Sequence, residues 1–210
     1  MKDGFIVAIV GAECTGKTTL SNELAQALAA EGRGVAVVPE YLREFCDRLQ
    51  RTPRQDEQAH IAFEQARRIA AAAATHEMVV ADTTALMIAV YSELVFGDLS
   101  LYADAEASHR RCDLTLLTAI DLPWQPDGLQ RDGAHVRDPV DAKLRAALQR
   151  AGVAYGVVSG RGEERLANAL KGVRHAMQAP SAEDESASNP RWQWSCDRCG
   201  DPNCERHLLP

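Results

Sequence analysis

The chain has 210 residues, 46% of them hydrophobic and 25% charged, with a formal net charge of −7, enough for one well-cored α/β domain with some length left over. The acidic balance argues against a general affinity for nucleic acid or an anionic membrane, since both need a basic surface. No apolar run approaches the ~20 residues of a membrane span, so the composition points to a cytoplasmic enzyme.

Residues 5–10, FIVAIV, form a short apolar run that reads as a buried strand. GAECTGKT follows at once and fits G-x-x-x-x-G-K-S/T, the loop whose backbone N–H groups cradle phosphates while its Lys reaches the terminal ones. Leu20, Leu24, Ala27 and Leu28 recur at helical spacing and predict a helix over 17–30, closed by Gly32 and Gly34. VAVV (35–38) is the second expected strand, and an Ala- and Gln-rich helix over 55–74 leads to a third, MVVAD, ending on Asp82. A helix over 85–96 precedes LTLLTAI, the fourth strand, which starts at Leu114. After a polar segment over 121–139, a helix over 140–151, the strand VAYGVV and a last helix over 163–177 complete the series. Such alternation implies a parallel sheet covered on both faces.

The composition changes near residue 178. Residues 179–190 form an acidic stretch without a large apolar side chain, expected to be a flexible linker between the 1–178 domain and a Trp- and Cys-rich tail over 191–210. Three of the six cysteines crowd into that tail as C-x2-C-x4-C-x2-H: Cys196, Cys199, Cys204 and His207. Four soft ligands in two close pairs suit tetrahedral Zn²⁺. A disordered reduced tail or a thiol redox pair are the alternatives. Together with Trp192 and Trp194, the tail reads as a docking module for the enzyme's own active site or for another protein.

The candidate ATP contacts are Gly11, Glu13, Gly16, Lys17, Thr18 and Thr19. The two glycines permit the turn, Lys17 reaches the transferred phosphate, and the Thr18 hydroxyl holds Mg²⁺. Asp82 at a strand end is expected to support the same metal; the alternative is a cap for the following helix. Glu40 closes the second strand and is a candidate general base, or else a first-turn Glu that stabilises the helix after it. The segment DLPWQPDGLQRDGAHVR (121–137) carries Trp124, Arg131 and Arg137. It reads as a lid whose arginines neutralise charge during transfer, or as a surface loop whose Trp packs on the body. Ser159 and Gly160 follow the fifth strand, on the side where a nucleotide base is expected.

GAECTGKTTL, EYLREF, Gln65, ADTT and DLPWQPDGLQRDG together resemble the ribosylnicotinamide kinase domain of NadR-like proteins, over about residues 5–177. These are P-loop ATPases of NAD metabolism. The resemblance implies an α/β P-loop NTPase fold, nucleoside-kinase-like, with a five-stranded parallel sheet. It implies phosphorylation of nicotinamide riboside to nicotinamide mononucleotide by ATP and Mg²⁺. Glu40, Tyr41 and Gln65 would then belong to the substrate side, with Trp124 against the pyridinium ring and Asp127 on the ribose. The chain departs from the pattern at Gln130, where the family often has Arg; here Arg131 follows instead. A regulatory P-loop ATPase, signalling its nucleotide state through the zinc tail, is the alternative.

Overall fold

The structure, a computed structural model, describes residues 3–125 and 133–178. Asp127, Arg131 and the Cys196, Cys199, Cys204 and His207 quartet lie outside the described residues. The first of the chain's two units, Met1–Met177, holds a five-stranded sheet. Its strands are β1 (Phe5–Val10), β2 (Val35–Val38), β3 (Met78–Asp82), β4 (Leu114–Thr118) and β5 (Gly156–Val158). All pairings are parallel and the order is β2-β3-β1-β4-β5.

The apolar run of β1 has its physical reason in that order. Val7, Ala8, Ile9 and Val10 are all completely buried because β1 is central and covered on both faces. Alternate side chains go to opposite layers. Val7 and Ile9 pack with Leu20, Leu24 and Leu28 of α1 (Lys17–Ala30) and with Ala169 and Val173 of α7 (Gly162–Gln178). Val10 packs on the other face, with Ile61 of α3 (Gln55–Ala73), Leu86 and Val90 of α4 (Ala85–Phe96), and Leu144 and Leu148 of α6 (Arg137–Arg150). Each such leucine stabilises the fold by roughly 1.5–3 kcal/mol through burial. Among the described residues no helix is long and apolar enough to cross a membrane.

Several elements differ in extent from the sequence reading. β4 stops at Thr118 and β5 is only three residues long. Helix α6 starts at Arg137 rather than 140, because Pro139 falls in its first turn, where the missing N–H has no partner to lose. EYLREF grows into a full helix, α2 (Tyr41–Leu49). Helix α5 (Tyr102–His109) was not expected at all. Its buried face is Tyr102, Ala105 and His109, too polar and too short to register as an apolar stripe.

Strand β1 lies where the strand order reverses, with β3 on one side and β4 on the other. In open parallel sheets the crevice for ligands opens there, beyond the strand C-termini. The loop after β1 occupies that place.

Candidate active site

The loop from Gly11 to Gly16 is fixed from beneath. Gly11 has φ of +150°, and a Cβ there would lie 2.1 Å from Thr118 Oγ1. Thr15, fully buried, donates its hydroxyl to Ala12 O at 2.8 Å and lies 2.7 Å from Thr118 Oγ1. Gly16 caps α1 in the left-handed region, φ 76°. Lys17 Nζ donates to Ala12 O at 2.8 Å, which holds the ammonium folded over the loop. Glu13 is buried, whereas Thr18 and Thr19 are exposed in the first turn of α1, where free N–H groups and the helix dipole favour an anion.

Asp82 ends β3 in register with Ile9 of β1 and is 2% exposed. Its Oδ1 is buried without a hydrogen-bond partner among the described residues. The cap of α4 is Thr84, so Asp82 stands two residues ahead of the capping position. The backbone between them turns through Thr83 at φ 70°. A buried carboxylate oxygen without a partner is costly unless something else is meant to bind it. Magnesium takes oxygen ligands, keeps several waters and uses one or two carboxylates with substrate phosphates, a donor set that Asp82 and Thr18 fit. Among the described residues no three His, Cys, Asp or Glu side chains cluster to form an all-protein metal cage.

Beside Lys17 lies a cavity of about 80 Å³, walled by Glu13, Glu40, Arg43, Thr83 and Tyr91. Glu40 occupies the cap position of α2, yet its side chain makes no capping hydrogen bond; Arg43 Nε lies 3.8 Å from its Oε2. Glu40 therefore lines the cavity without capping the helix through its side chain. Tyr41 and Gln65 do not line this cavity: they are 4% and 0% exposed. Gln65 Oε1 accepts the Tyr41 N–H at 2.7 Å, and its Nε2 donates to Pro39 O and Thr83 O, each at 3.4 Å. Gln65 thus clips the β2–α2 turn to the end of β3 and holds Glu40 in place from behind. A larger cavity, about 390 Å³, opens between α3 and α5 but contains none of the phosphate-loop residues. The smaller one adjoins Lys17 of the phosphate loop and Glu40.

The segment after β4 crosses the loop. Cys14 Sγ donates to Gln125 O at 3.1 Å, and Leu122 would meet a Cβ on Gly16 at 3.1 Å. Trp124 is half-buried, its indole N–H inside and without a partner among the described residues. Arg137, 6% exposed, donates through Nη1 to Leu122 O at 2.9 Å. Its Nε and Nη2 have no hydrogen-bond partner among the described residues.

On the β4–β5 side stands a group that the sequence did not single out. Arg165 of α7, 5% exposed, donates to Thr15 O (2.8 Å), Asp121 Oδ1 (2.8 Å), Gly160 O (2.7 Å) and Ala119 O (3.3 Å). Asp121 Oδ2 in turn accepts the Gly160 N–H at 2.7 Å. Burial pushes the Asp121 carboxyl up, but the bonds from Arg165 and Gly160 outweigh it and hold it below the ordinary carboxylate value. Ser159 is exposed, and its carbonyl accepts from Asn168 Nδ2 at 3.2 Å. The one available signal was positional, an acid directly beyond a strand end.

The AAA domain family (AAA_28) matches residues 6–165. Two solved structures of NadR protein share the fold. One, described as a complex with NAD and AMP-PNP, is 22% identical with a TM-score of 0.66, the match covering 84% of this chain and 50% of that one. The other, described as a complex with NR, is 20% identical with a TM-score of 0.69, covering 84% and 52%. The chain therefore spans about half the length of the NadR chains it matches. Comparison with curated proteins finds no match.

Proposed function

The chain belongs to this AAA domain family, and from that premise we propose that it is a P-loop kinase transferring a phosphoryl group from ATP to a small nucleoside, nicotinamide riboside. The observation that carries the reading is the polar cavity beside Lys17, with the Glu40 carboxylate in its wall. A switch or motor needs only the phosphate loop; a kinase needs room for a second substrate next to the γ-phosphate. A volume of about 80 Å³ exceeds the roughly 10–15 Å³ that admits a single water. It suits the hydroxymethyl end of a nucleoside, with the ring outside, where Trp124 is the candidate to face it.

In this reading Gly11 to Thr19, with Glu13, Gly16 and Lys17, hold the triphosphate, and Ser159 and Gly160 lie on the nucleoside side of ATP. Glu40 accepts the proton of the acceptor hydroxyl as its oxygen bonds to the γ-phosphorus and the bond to ADP breaks. Lys17 and Arg137 offset the charge that gathers on the transferred group. Thr18 and Asp82 are the residues that would hold Mg²⁺, which when bound neutralises charge on the β- and γ-oxygens. Nicotinamide riboside is favoured by the fold shared with NadR and by Trp124, whose indole face would attract a cationic ring. Asp127 and Arg131 join the riboside and lid roles by motif alone.

The test is ADP formation by the full chain with and without a panel of nucleosides. Turnover that appears only with an acceptor, and is highest with nicotinamide riboside, supports the reading. Acceptor-independent turnover would favour the regulatory ATPase. The Cys196, Cys199, Cys204 and His207 quartet would hold one zinc ion by the chemistry of its donors, so metal analysis of reduced protein should find one per chain, lost in Cys196→Ser/Cys199→Ser.

A further inference from the structure

We propose that Arg165 is a positioning residue for ATP, whose guanidinium locks the phosphate loop to the β5–α7 turn so that both ends of the nucleotide site move as one body. The proposal rests on the reading of the loop as an ATP site, and not on the identity of the acceptor.

A buried arginine destabilises a fold unless its donors are satisfied. Arg165 meets that condition at Nη1 and Nη2, with acceptors from three separate segments: Thr15 of the phosphate loop, Ala119 and Asp121 beyond β4, and Gly160 beyond β5. Its buried Nε has no hydrogen-bond partner among the described residues. Only a planar fork spans such a set; a lysine ammonium is a single point. The Asp121 carboxylate closes the ring by accepting the Gly160 N–H, so the Gly160 backbone is gripped at both its donor and its acceptor.

Two geometric consequences connect this clamp to ATP. First, the carbonyl of Thr15 and the N–H of Gly16 belong to one trans peptide unit and point in opposite directions. Holding Thr15 O on Arg165 therefore aims the Gly16 N–H away from it, as a loop donor must be aimed. Second, the acceptor cavity takes up the β2–β3 side of the loop, through Glu40 and Thr83. The nucleoside end of ATP must leave on the other side, towards β4 and β5, where Gly160 is clamped. Phosphate and nucleoside subsites are thus fixed relative to each other before ATP arrives, which lowers the ordering cost of binding both ends at once.

The experiment compares ATP with inorganic tripolyphosphate, each with Mg²⁺, by calorimetric titration of the full chain and its Arg165→Met, Arg165→Lys and Asp121→Asn variants. Loss of the clamp should weaken tripolyphosphate through the loop alone, and ATP through both the loop and the lost coupling. ATP affinity should fall about 30-fold in Arg165→Met, and the preference for ATP over tripolyphosphate should shrink about 5-fold or more. Arg165→Lys should recover little of either. An equal loss for both ligands would contradict the coupling, as would unchanged binding accompanied only by a lower Tm. If Arg165→Met does not fold, the same ratio in Arg165→Lys and Asp121→Asn decides. No phosphoryl transfer is needed, so failure of the acceptor assignment leaves this test intact.

Discussion

The hydroxyl oxygens of Thr15 and Thr118 lie 2.7 Å apart, both residues fully buried, and the Thr118 hydroxyl stands where a side chain on Gly11 would begin. The phosphate loop therefore rests on the end of β4 as well as following β1, and Gly11 is required by a neighbour and not by the turn alone. Gly11→Ala places a Cβ 2.1 Å from Thr118 Oγ1 at an unfavourable φ. It should cost about 2–4 kcal/mol. Adding Thr118→Ala removes the closest atom but leaves the Thr118 carbonyl at 3.1 Å. Denaturant unfolding of the two single variants and the double variant should show partial recovery; strictly additive losses would mean that the two residues do not meet.

His109 bridges Thr84 at the start of α4 and Thr115 on β4, through Nδ1 at 2.9 Å and Nε2 at 3.0 Å. Burial pushes its pKa down to about 4. The unfolded chain, with histidine near 6.5, thus binds a proton that the folded chain does not between those values. Stability is fully present above about pH 6.5 and falls as pH drops towards 4, with a slope of up to about 1.4 kcal/mol per unit from this group. Thermal unfolding from pH 7.5 to 4.5 should show that slope reduced in His109→Gln. Parallel profiles would place the titration elsewhere.

Glu40 and Asp82 separate kinetically. Glu40→Gln should lower kcat by roughly 10²–10⁴-fold with ATP binding nearly unchanged, as expected on removing a general base. Asp82→Asn should raise the Mg²⁺ concentration needed for half-maximal turnover. Titrations of rate against Mg²⁺ and ATP check both, and the opposite pattern would exchange the roles.

What could be read from the sequence was what is local in it. The FIVAIV strand, the phosphate loop and α1 are contiguous, so one stretch displays strand, anion site and helix together. Asp82 showed itself as a carboxylate closing an apolar run. Arg165 did not, because its role is a contact with Asp121, 44 residues away, and with a loop 150 residues away. In GEERL it looks like any charge in an exposed first turn. Gln65 was placed correctly on the long helix, but its function as a clip depends on Pro39, Tyr41 and Thr83 meeting in space. Helix α5 escaped notice because its inward face uses a histidine, whose burial is made tolerable by threonines on the two neighbouring elements, Thr84 at the start of α4 and Thr115 on β4.

Trp124 tests the charge of the acceptor. A cation held against an indole face and shielded from water gains ~2 kcal/mol, equivalent to roughly 30-fold in affinity. Trp124→Ala should weaken nicotinamide riboside by about that factor while the KM for ATP changes little, and Trp124→Phe should retain part of it. A neutral nucleoside such as uridine should lose less. Values of kcat/KM for the three proteins on both nucleosides provide the comparison, and equal losses on charged and neutral rings would reduce Trp124 to a packing residue.

The central claim is that the γ-phosphate is handed to a nucleoside. It is tested most directly by incubating the full chain with γ-labelled ATP, Mg²⁺ and nicotinamide riboside and asking where the label goes. The account predicts label in nicotinamide mononucleotide, one equivalent per ADP formed. It also predicts none with folded Lys17→Ala, whose missing ammonium leaves the charge on the transferred group uncompensated. Label released as inorganic phosphate at the same rate with and without nucleoside would contradict it.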